Sequence, residues 1–132
     1  MTTLVDANVL LDVIEEDPHW FGWSSHAIQA AAAAGPLAIN PIIYAEVSLG
    51  YDTIEELDHV LEPFVRLQLP YEAGFLAARC YERYRRAGGI RRSPLPDFYI
   101  GAHAAIEGHA LLTRDAARYR TYFPALHVVS PD

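Results

Sequence analysis

Short apolar runs alternate along this chain with longer stretches in which apolar residues recur at helical spacing. Leu4-Val5 is a brief apolar run that stops at Asp6, as a short buried strand does. Ala7 to Glu16 then carries Val9, Leu10, Val13 and Ile14 at helical spacing, and Asp17-Pro18 ends the pattern. A second helix is predicted over Trp20 to Ala34, driven by the alanine run and stopped by Gly35-Pro36. Leu37-Ala38-Ile39 is a second strand. Asn40-Pro41 supplies a cap and a first-turn proline for a helix that runs to about Leu49.

Thr53 to Leu61 opens with Thr53-Ile54-Glu55-Glu56, a capping-box pattern. Phe64 to Leu69 reads as a third strand, and Tyr71 to Ala87 as a long amphipathic helix closed by Gly88-Gly89. After a loop holding Pro94 and Pro96, Asp97 to Glu107 is predicted helical. Leu111-Leu112-Thr113 is a fourth strand; a short helix follows and stops near Pro124, and His127 to Val129 makes a last strand. Short apolar strands separated by helices predict an α/β fold with a mostly parallel sheet covered on both faces. No repeat or linker divides the chain, so one domain over residues 1–132 is expected.

That fold places ligands beyond the carboxyl ends of the strands, which directs attention to the acids there. Asp6 ends the first strand, Asp115 follows the fourth, and Asp97 opens the helix that feeds it. Each also suits a helix N-cap. Glu46 is the sole acid between Asp17 and Asp52, and its helical neighbours Ile42 and Ile43 give it an apolar setting. An unpaired carboxylate there costs several kcal/mol or stays protonated, and four acids at one sheet edge repel one another without a positive centre. Oxygen ligands without cysteine point to Mg²⁺ or Mn²⁺ rather than zinc.

Composition narrows the chemistry further. All ten basic residues are arginine, which excludes a P-loop, a Schiff-base lysine and a Ser–Lys dyad. Cys80 is the only cysteine, so neither an internal disulfide nor a cysteine-rich zinc site exists, and packing is its expected role. The first residues lack the basic and apolar regions of a leader, and the alanine run is too short to span a bilayer; a soluble cytoplasmic protein is expected. The net charge of −7 argues against a nucleic-acid partner until it is resolved by position. Six arginines (79, 83, 85, 86, 91 and 92) and one acid, Glu82, fall between Arg79 and Arg92, a local charge of +5. Arg91 and Arg92 stand just before Asp97 and Arg114 stands beside Asp115, so these three are the candidate phosphate contacts. Arg79, Arg83 and Arg86 read as a solvated helix face.

The ordered set Val5-Asp6-Ala7-Asn8, Tyr44-Ala45-Glu46-Val47, Leu95-Pro96-Asp97-Phe98-Tyr99-Ile100-Gly101-Ala102-His103-Ala104 and Leu111-Leu112-Thr113-Arg114-Asp115 resembles a PIN domain. More narrowly it looks like a VapC-type toxin of a toxin–antitoxin pair, over essentially the whole chain. The resemblance implies a three-layer sandwich and a Mg²⁺- or Mn²⁺-dependent endoribonuclease leaving 5′-phosphate and 3′-hydroxyl ends. Asp6, Glu46, Asp97 and Asp115 match the family's catalytic and metal-binding acids, and Asn8 and Thr113 its supporting polar positions. It further implies an RNA substrate, a homodimer and a cognate antitoxin laid into the acidic groove. Many relatives carry another acid shortly after the fourth; here Ala116-Ala117-Arg118 follows Asp115.

The competing readings are a PIN-like module that binds RNA or protein without cutting, and a haloacid-dehalogenase-like phosphatase. The second needs Asp-x-Asp after the first strand, where this chain has Asn8. His103 and Glu107 stand four apart on a helix, a metal-capable spacing, but lack a third nearby ligand and read as packed or surface residues. Trp20, Phe21 and Trp23 read as packing aromatics rather than base-stacking ones.

Overall fold

Three buried or nearly buried residues suffice for each central strand because both faces of the sheet are covered. In a computed structural model that describes residues 1–89 and 95–132, β1 (Thr3–Val5), β2 (Leu37–Ile39) and β4 (Ala110–Leu112) form the middle of a sheet edged by β3 (Val65–Arg66) and β5 (Val128–Val129). The order is β3-β2-β1-β4-β5 and every pairing is parallel, with Leu4 opposite Ala38 on one side and Leu111 on the other. Leu4, Val5, Ala38, Leu111 and Leu112 are wholly buried, as strands packed on both faces must be.

The helices are α1 (Ala7–Ile14), α2 (Phe21–Ala34), α3 (Pro41–Ser48), α4 (Ile54–Val60), α5 (Tyr71–Arg86), α6 (Leu95–Glu107) and α7 (Ala117–Tyr122). Right-handed crossovers put α1 to α4 on one face of the sheet and α5 to α7 on the other. Within each group α1 meets α2 and α3, and α6 meets α5 and α7; α3 and α6 also touch, where the α3 cap Asn40 reaches His103. The result is the three-layer α/β sandwich expected of the sequence.

Local chemistry sets most of the boundaries. Asn40 Oδ1 accepts from the Ile43 amide at 2.9 Å with Pro41 behind it, and Thr53 Oγ1 accepts from the Glu56 amide at 3.2 Å. Gly88, at φ 93°, closes α5, with the Gly88 and Gly89 amides donating to the carbonyls of Arg85 and Tyr84.

Most ends shift by a residue or two, and three of the differences matter for the site or the sheet. Only Val65 and Arg66 of the predicted Phe64–Leu69 strand pair, because this is a sheet edge with β2 on one side alone. The helix expected to begin at Asp97 begins at Leu95; Pro96 lies in its first turn, where a missing amide hydrogen costs nothing. β4 ends at Leu112, so Thr113 lies just beyond it.

The core on the α5–α7 side is aromatic. Phe98, fully buried, stands within 6.3 Å, centroid to centroid, of Tyr81, Tyr84, Tyr122 and Phe123. Cys80 is buried beside it, its Sγ 3.7 Å from the Tyr122 carbonyl, in the packing role expected. Gly101 lets the Phe123 ring lie against α6: a Cβ there would come within 2.5 Å of the ring. Gly101→Ala is therefore expected to cost about 1–3 kcal/mol from overpacking, net of the gain in helix propensity. Denaturant midpoints test this; an unchanged midpoint would mean that Phe123 moves aside without penalty.

Candidate active site

The switch point of the sheet lies between β1 and β4, where the chain turns from building one side to building the other. Asp6 leaves the end of β1 and Thr113 the end of β4, and a hydrogen-bonded network joins them. The Asp6 amide donates to the Leu112 carbonyl at 2.9 Å. Asp6 Oδ1 accepts from the Ala7 amide at 2.8 Å, which makes Asp6 the N-cap of α1. Its Oδ2 accepts from Thr113 Oγ1 at 2.8 Å and from the Tyr119 hydroxyl at 3.2 Å. The Thr113 oxygen in turn accepts from Asn8 Nδ2 at 3.4 Å and the Asp115 amide at 3.2 Å, while Asn8 Oδ1 accepts from the Arg114 amide. Asn8 and Thr113 thus fix the carboxylate of Asp6 and the turn that carries Asp115.

Asp6, Asn8, Glu46, Asp97, Asp115 and Tyr119, with Ala7, Leu11 and Leu49, line one cavity of about 320 Å³. All four acids singled out in the sequence therefore meet. Asp97 arrives as the third residue of α6 and Asp115 from the turn before α7, and neither is a helix cap. Glu46 reaches the cavity from α3. Its Oε1 is buried and has no hydrogen-bond partner.

The electrostatics follow from that crowding. Burial raises the Asp6 carboxyl to about 6, helped by the charge of Asp97 and opposed by the Thr113 hydrogen bond. Glu46 is pushed up to about 7, by burial first and then by the charges of Asp6 and Asp97. Asp97 is also raised by burial, although Arg118 Nη1, 2.8 Å from its Oδ2, pulls the other way. Tyr119, buried beside Asp6, is held well above the ordinary phenol range and stays a donor. Among the described residues, these acids face one another with a single arginine, Arg118, paired to one of them.

Such a site fits a hard divalent cation. The donors are all oxygens, and the orphaned Glu46 Oε1 is a buried acceptor that a cation would satisfy. Among the described residues no three acidic, histidine or cysteine side chains are already drawn into a cage. In the structure Asp6 is engaged by its hydrogen bonds and Asp97 by Arg118.

Other expectations fall differently. Arg114 does not line the cavity. Its Nε lies 2.8 Å from Oδ2 of the buried Asp12, close but not aligned for a hydrogen bond, so the pairing is Coulombic. Trp20 stacks under the guanidinium at 4.9 Å, and Ser24 donates to the same Asp12 oxygen at 2.6 Å. Arg114 thus stands outside the cavity lining, as an anchor between α1 and α2. Arg91 and Arg92 lie outside the described residues. Arg79, Arg83 and Arg86 are on the exposed surface of α5, as expected, with Glu82 near Arg79 and Arg86. His103 is buried, its Nδ1 3.0 Å from Asn40 Nδ2, and Glu107 is exposed, so the pair shares no site. Sequence reasoning passed over Tyr119 and Arg118. They follow Asp115 by four and three residues, one helical turn, and that spacing was the available signal.

A PIN-domain family model matches residues 3–124. The chain belongs to the PIN-domain family. Among solved structures, this PIN domain is similar to a chain of VapBC2 from Rickettsia felis bound to a DNA fragment from their promoter, at TM-score 0.76 and 19% identity over the whole of both chains. It is similar to a chain of a toxin–antitoxin complex from Klebsiella pneumoniae, at TM-score 0.70 and 25% identity over 98% of each. A chain of FitAcB from Neisseria gonorrhoeae matches at TM-score 0.73 and 18% identity, covering 98% of this chain and 97% of that one. No curated protein matches the sequence. No helix among the described residues is long and apolar enough to cross a membrane.

Proposed function

We propose that this PIN domain is the VapC-like toxin of a toxin–antitoxin pair, an endoribonuclease that cleaves RNA phosphodiester bonds with Mg²⁺ or Mn²⁺ in the cytoplasm. The observation that carries the reading is the buried, unpartnered Oε1 of Glu46 in a cavity it shares with Asp6, Asp97 and Asp115. A cation-free role leaves that atom unexplained. The toxin–antitoxin complexes among the structural relatives support the toxin assignment.

Asp6, Glu46, Asp97 and Asp115 are the residues that would hold the ion. When bound, it would polarise the scissile phosphate and make a nearby water more acidic. The chain supplies the positioning. Thr113 and Tyr119 keep Asp6 fixed by donating to one of its oxygens, and Asn8 holds Thr113 in turn. A carboxylate of the same cavity orients the attacking water. The water gives up a proton as its oxygen bonds to phosphorus, the bond from phosphorus to the 3′ oxygen breaks, and that oxygen takes up a proton, leaving 5′-phosphate and 3′-hydroxyl ends. Arg91 and Arg92 are assigned to the RNA backbone on the strength of their position before Asp97.

A cognate antitoxin would cover the acidic cleft, at whose rim Leu49 is 91% exposed. A homodimer would use the exposed aromatics Tyr71 and Phe75 of α5.

The test is cleavage of RNA by the purified chain with Mn²⁺, with Mg²⁺ and with chelator, followed by mapping of the ends. Cleavage is expected with either ion, should stop on chelation and return when the ion is restored. Undiminished cleavage in chelator would remove the metal reading. RNA that is bound but never cut would make the chain a non-catalytic PIN-like binding module.

A further inference from the structure

Arg118 occupies a position that none of the roles above uses. Its Nη1 lies 2.8 Å from Oδ2 of Asp97, which lines the cavity; Arg118 itself stands just outside that lining, and with side chains 29% and 31% exposed the pair is open to a ligand. The guanidinium lies 5.6 Å over the Tyr84 ring, which steadies it without consuming a donor. Other arginines are committed elsewhere: Arg66 to Asp58, Arg114 to Asp12, Arg120 to Ser130 and the Asp132 carbonyl. Among the described residues, Arg118 alone of the arginines is paired with a carboxylate of the cavity.

We propose that Arg118 is a substrate-binding residue, resting on Asp97 in the metal-free protein and turning to the scissile phosphate once a divalent ion claims that carboxylate. This rests on the nuclease reading above. A guanidinium presents five N–H donors in a plane that matches two oxygens of a phosphate, and only Nη1 is engaged by Asp97. The transition state of phosphodiester hydrolysis gathers charge on those oxygens, where fixed donors act most strongly. The chain has Ala116-Ala117-Arg118 after Asp115 and no lysine, so Arg118 is the nearest fixed positive charge the described residues offer to that centre.

The two ligands of Asp97 compete, so their binding is linked. Removing Arg118 should tighten the metal and slow the reaction together. A residue that merely braced the site would loosen the metal or leave it unchanged. The experiment is Mn²⁺ calorimetry on the full chain without RNA, paired with cleavage assays, for wild type, Arg118→Met and Arg118→Lys. For Arg118→Met the Mn²⁺ Kd is expected to fall about three- to fivefold, the scale of a part-exposed ion pair. Its cleavage rate at saturating Mn²⁺ is expected to fall about 100-fold, the scale of one lost charge-stabilising donor. Arg118→Lys keeps the charge without the fork, so Mn²⁺ should bind as in wild type with cleavage restored in part. It carries the comparison if Arg118→Met does not fold.

Unchanged or weaker Mn²⁺ binding in Arg118→Met overturns the resting contact on Asp97. Unchanged cleavage overturns the phosphate role. Failure of the wild-type chain to bind Mn²⁺ at all is a different result: it removes the metal reading itself, and Arg118 with it.

Discussion

Asp97→Asn is expected to lower metal-dependent RNA cleavage by at least about 10³-fold while leaving the melting temperature within a few degrees of wild type. The first half follows from charge. Asparagine keeps the shape of the side chain at the head of α6 but removes the anion that a hard cation requires, and such an ion supplies several kcal/mol of transition-state stabilisation. The second half follows from two opposed and small effects. The contact with Arg118 is weakened, but that pair is part-exposed and worth about 1 kcal/mol at most. Repulsion from the Asp97 charge, which raises both Asp6 and Glu46, is relieved at the same time. Asp58→Asn is the control, since Asp58 is surface-exposed, paired with Arg66 and Tyr44, and no part of the cavity. Cleavage should survive there. Wild-type rates from Asp97→Asn would move the chemistry away from this cavity.

The acids were legible in the sequence because of where strands end. Asp6 and Asp115 each follow a short apolar run, and a parallel sheet collects such positions at one edge whatever the details of packing. Glu46 stood out for a separate reason, as a lone acid on an apolar stretch, and the structure turns that oddity into an orphaned oxygen. The start of α6 falls two residues before the position that treating Pro96 as a breaker predicts, because first-turn proline is tolerated. That difference makes Asp97 a first-turn residue that projects into the cavity instead of a cap.

Side-chain partners were the least legible part. Arg114 adjoins Asp115 in sequence, yet its guanidinium runs to Asp12 and Trp20 on elements about a hundred residues earlier. Periodicity carries no information about such a pairing, which depends on how α1 and α2 cross the end of β4. Tyr119 and Arg118 were hidden by the brevity of α7: six residues give too little pattern to say which face meets the site.

The metal-free protein is expected to lose stability as pH rises from about 4 to 7, and Mn²⁺ is expected to restore it. The sign comes from the direction of the two shifts. Asp6 at about 6 and Glu46 at about 7 both lie above their unfolded values, so the folded state holds protons that the unfolded state has released. Their favourable contribution is complete below the unfolded values and disappears as pH passes through 6 and then 7. For Asp6, 5% exposed, the rise from 3.8 to about 6 corresponds to about 3 kcal/mol, or roughly 10 °C in melting temperature for a chain of this size. Glu46 adds a smaller amount because it is only half-buried. The lowered carboxyls of Asp17 and Asp58 act in the opposite sense below pH 4, and the buried His103, held below its ordinary value by burial, does so below about 6.5, so the comparison of Glu46→Gln with wild type, where these groups are common to both, carries the test. Glu46→Gln isolates the effect: in chelator the variant should match wild type at pH 4.5 and exceed it at pH 7.5, because a neutral amide replaces the repelled carboxylate. Saturating Mn²⁺ should reverse that order at pH 7.5, with an ion at 100 times its Kd contributing about 2.7 kcal/mol to wild type and less to the variant. Thermal melts at the two pH values, with and without the ion, carry the comparison. Equal pH dependence in the two proteins would mean that Glu46 is not repelled in the cavity. Equal stabilisation by Mn²⁺ would mean that Glu46 does not hold the ion.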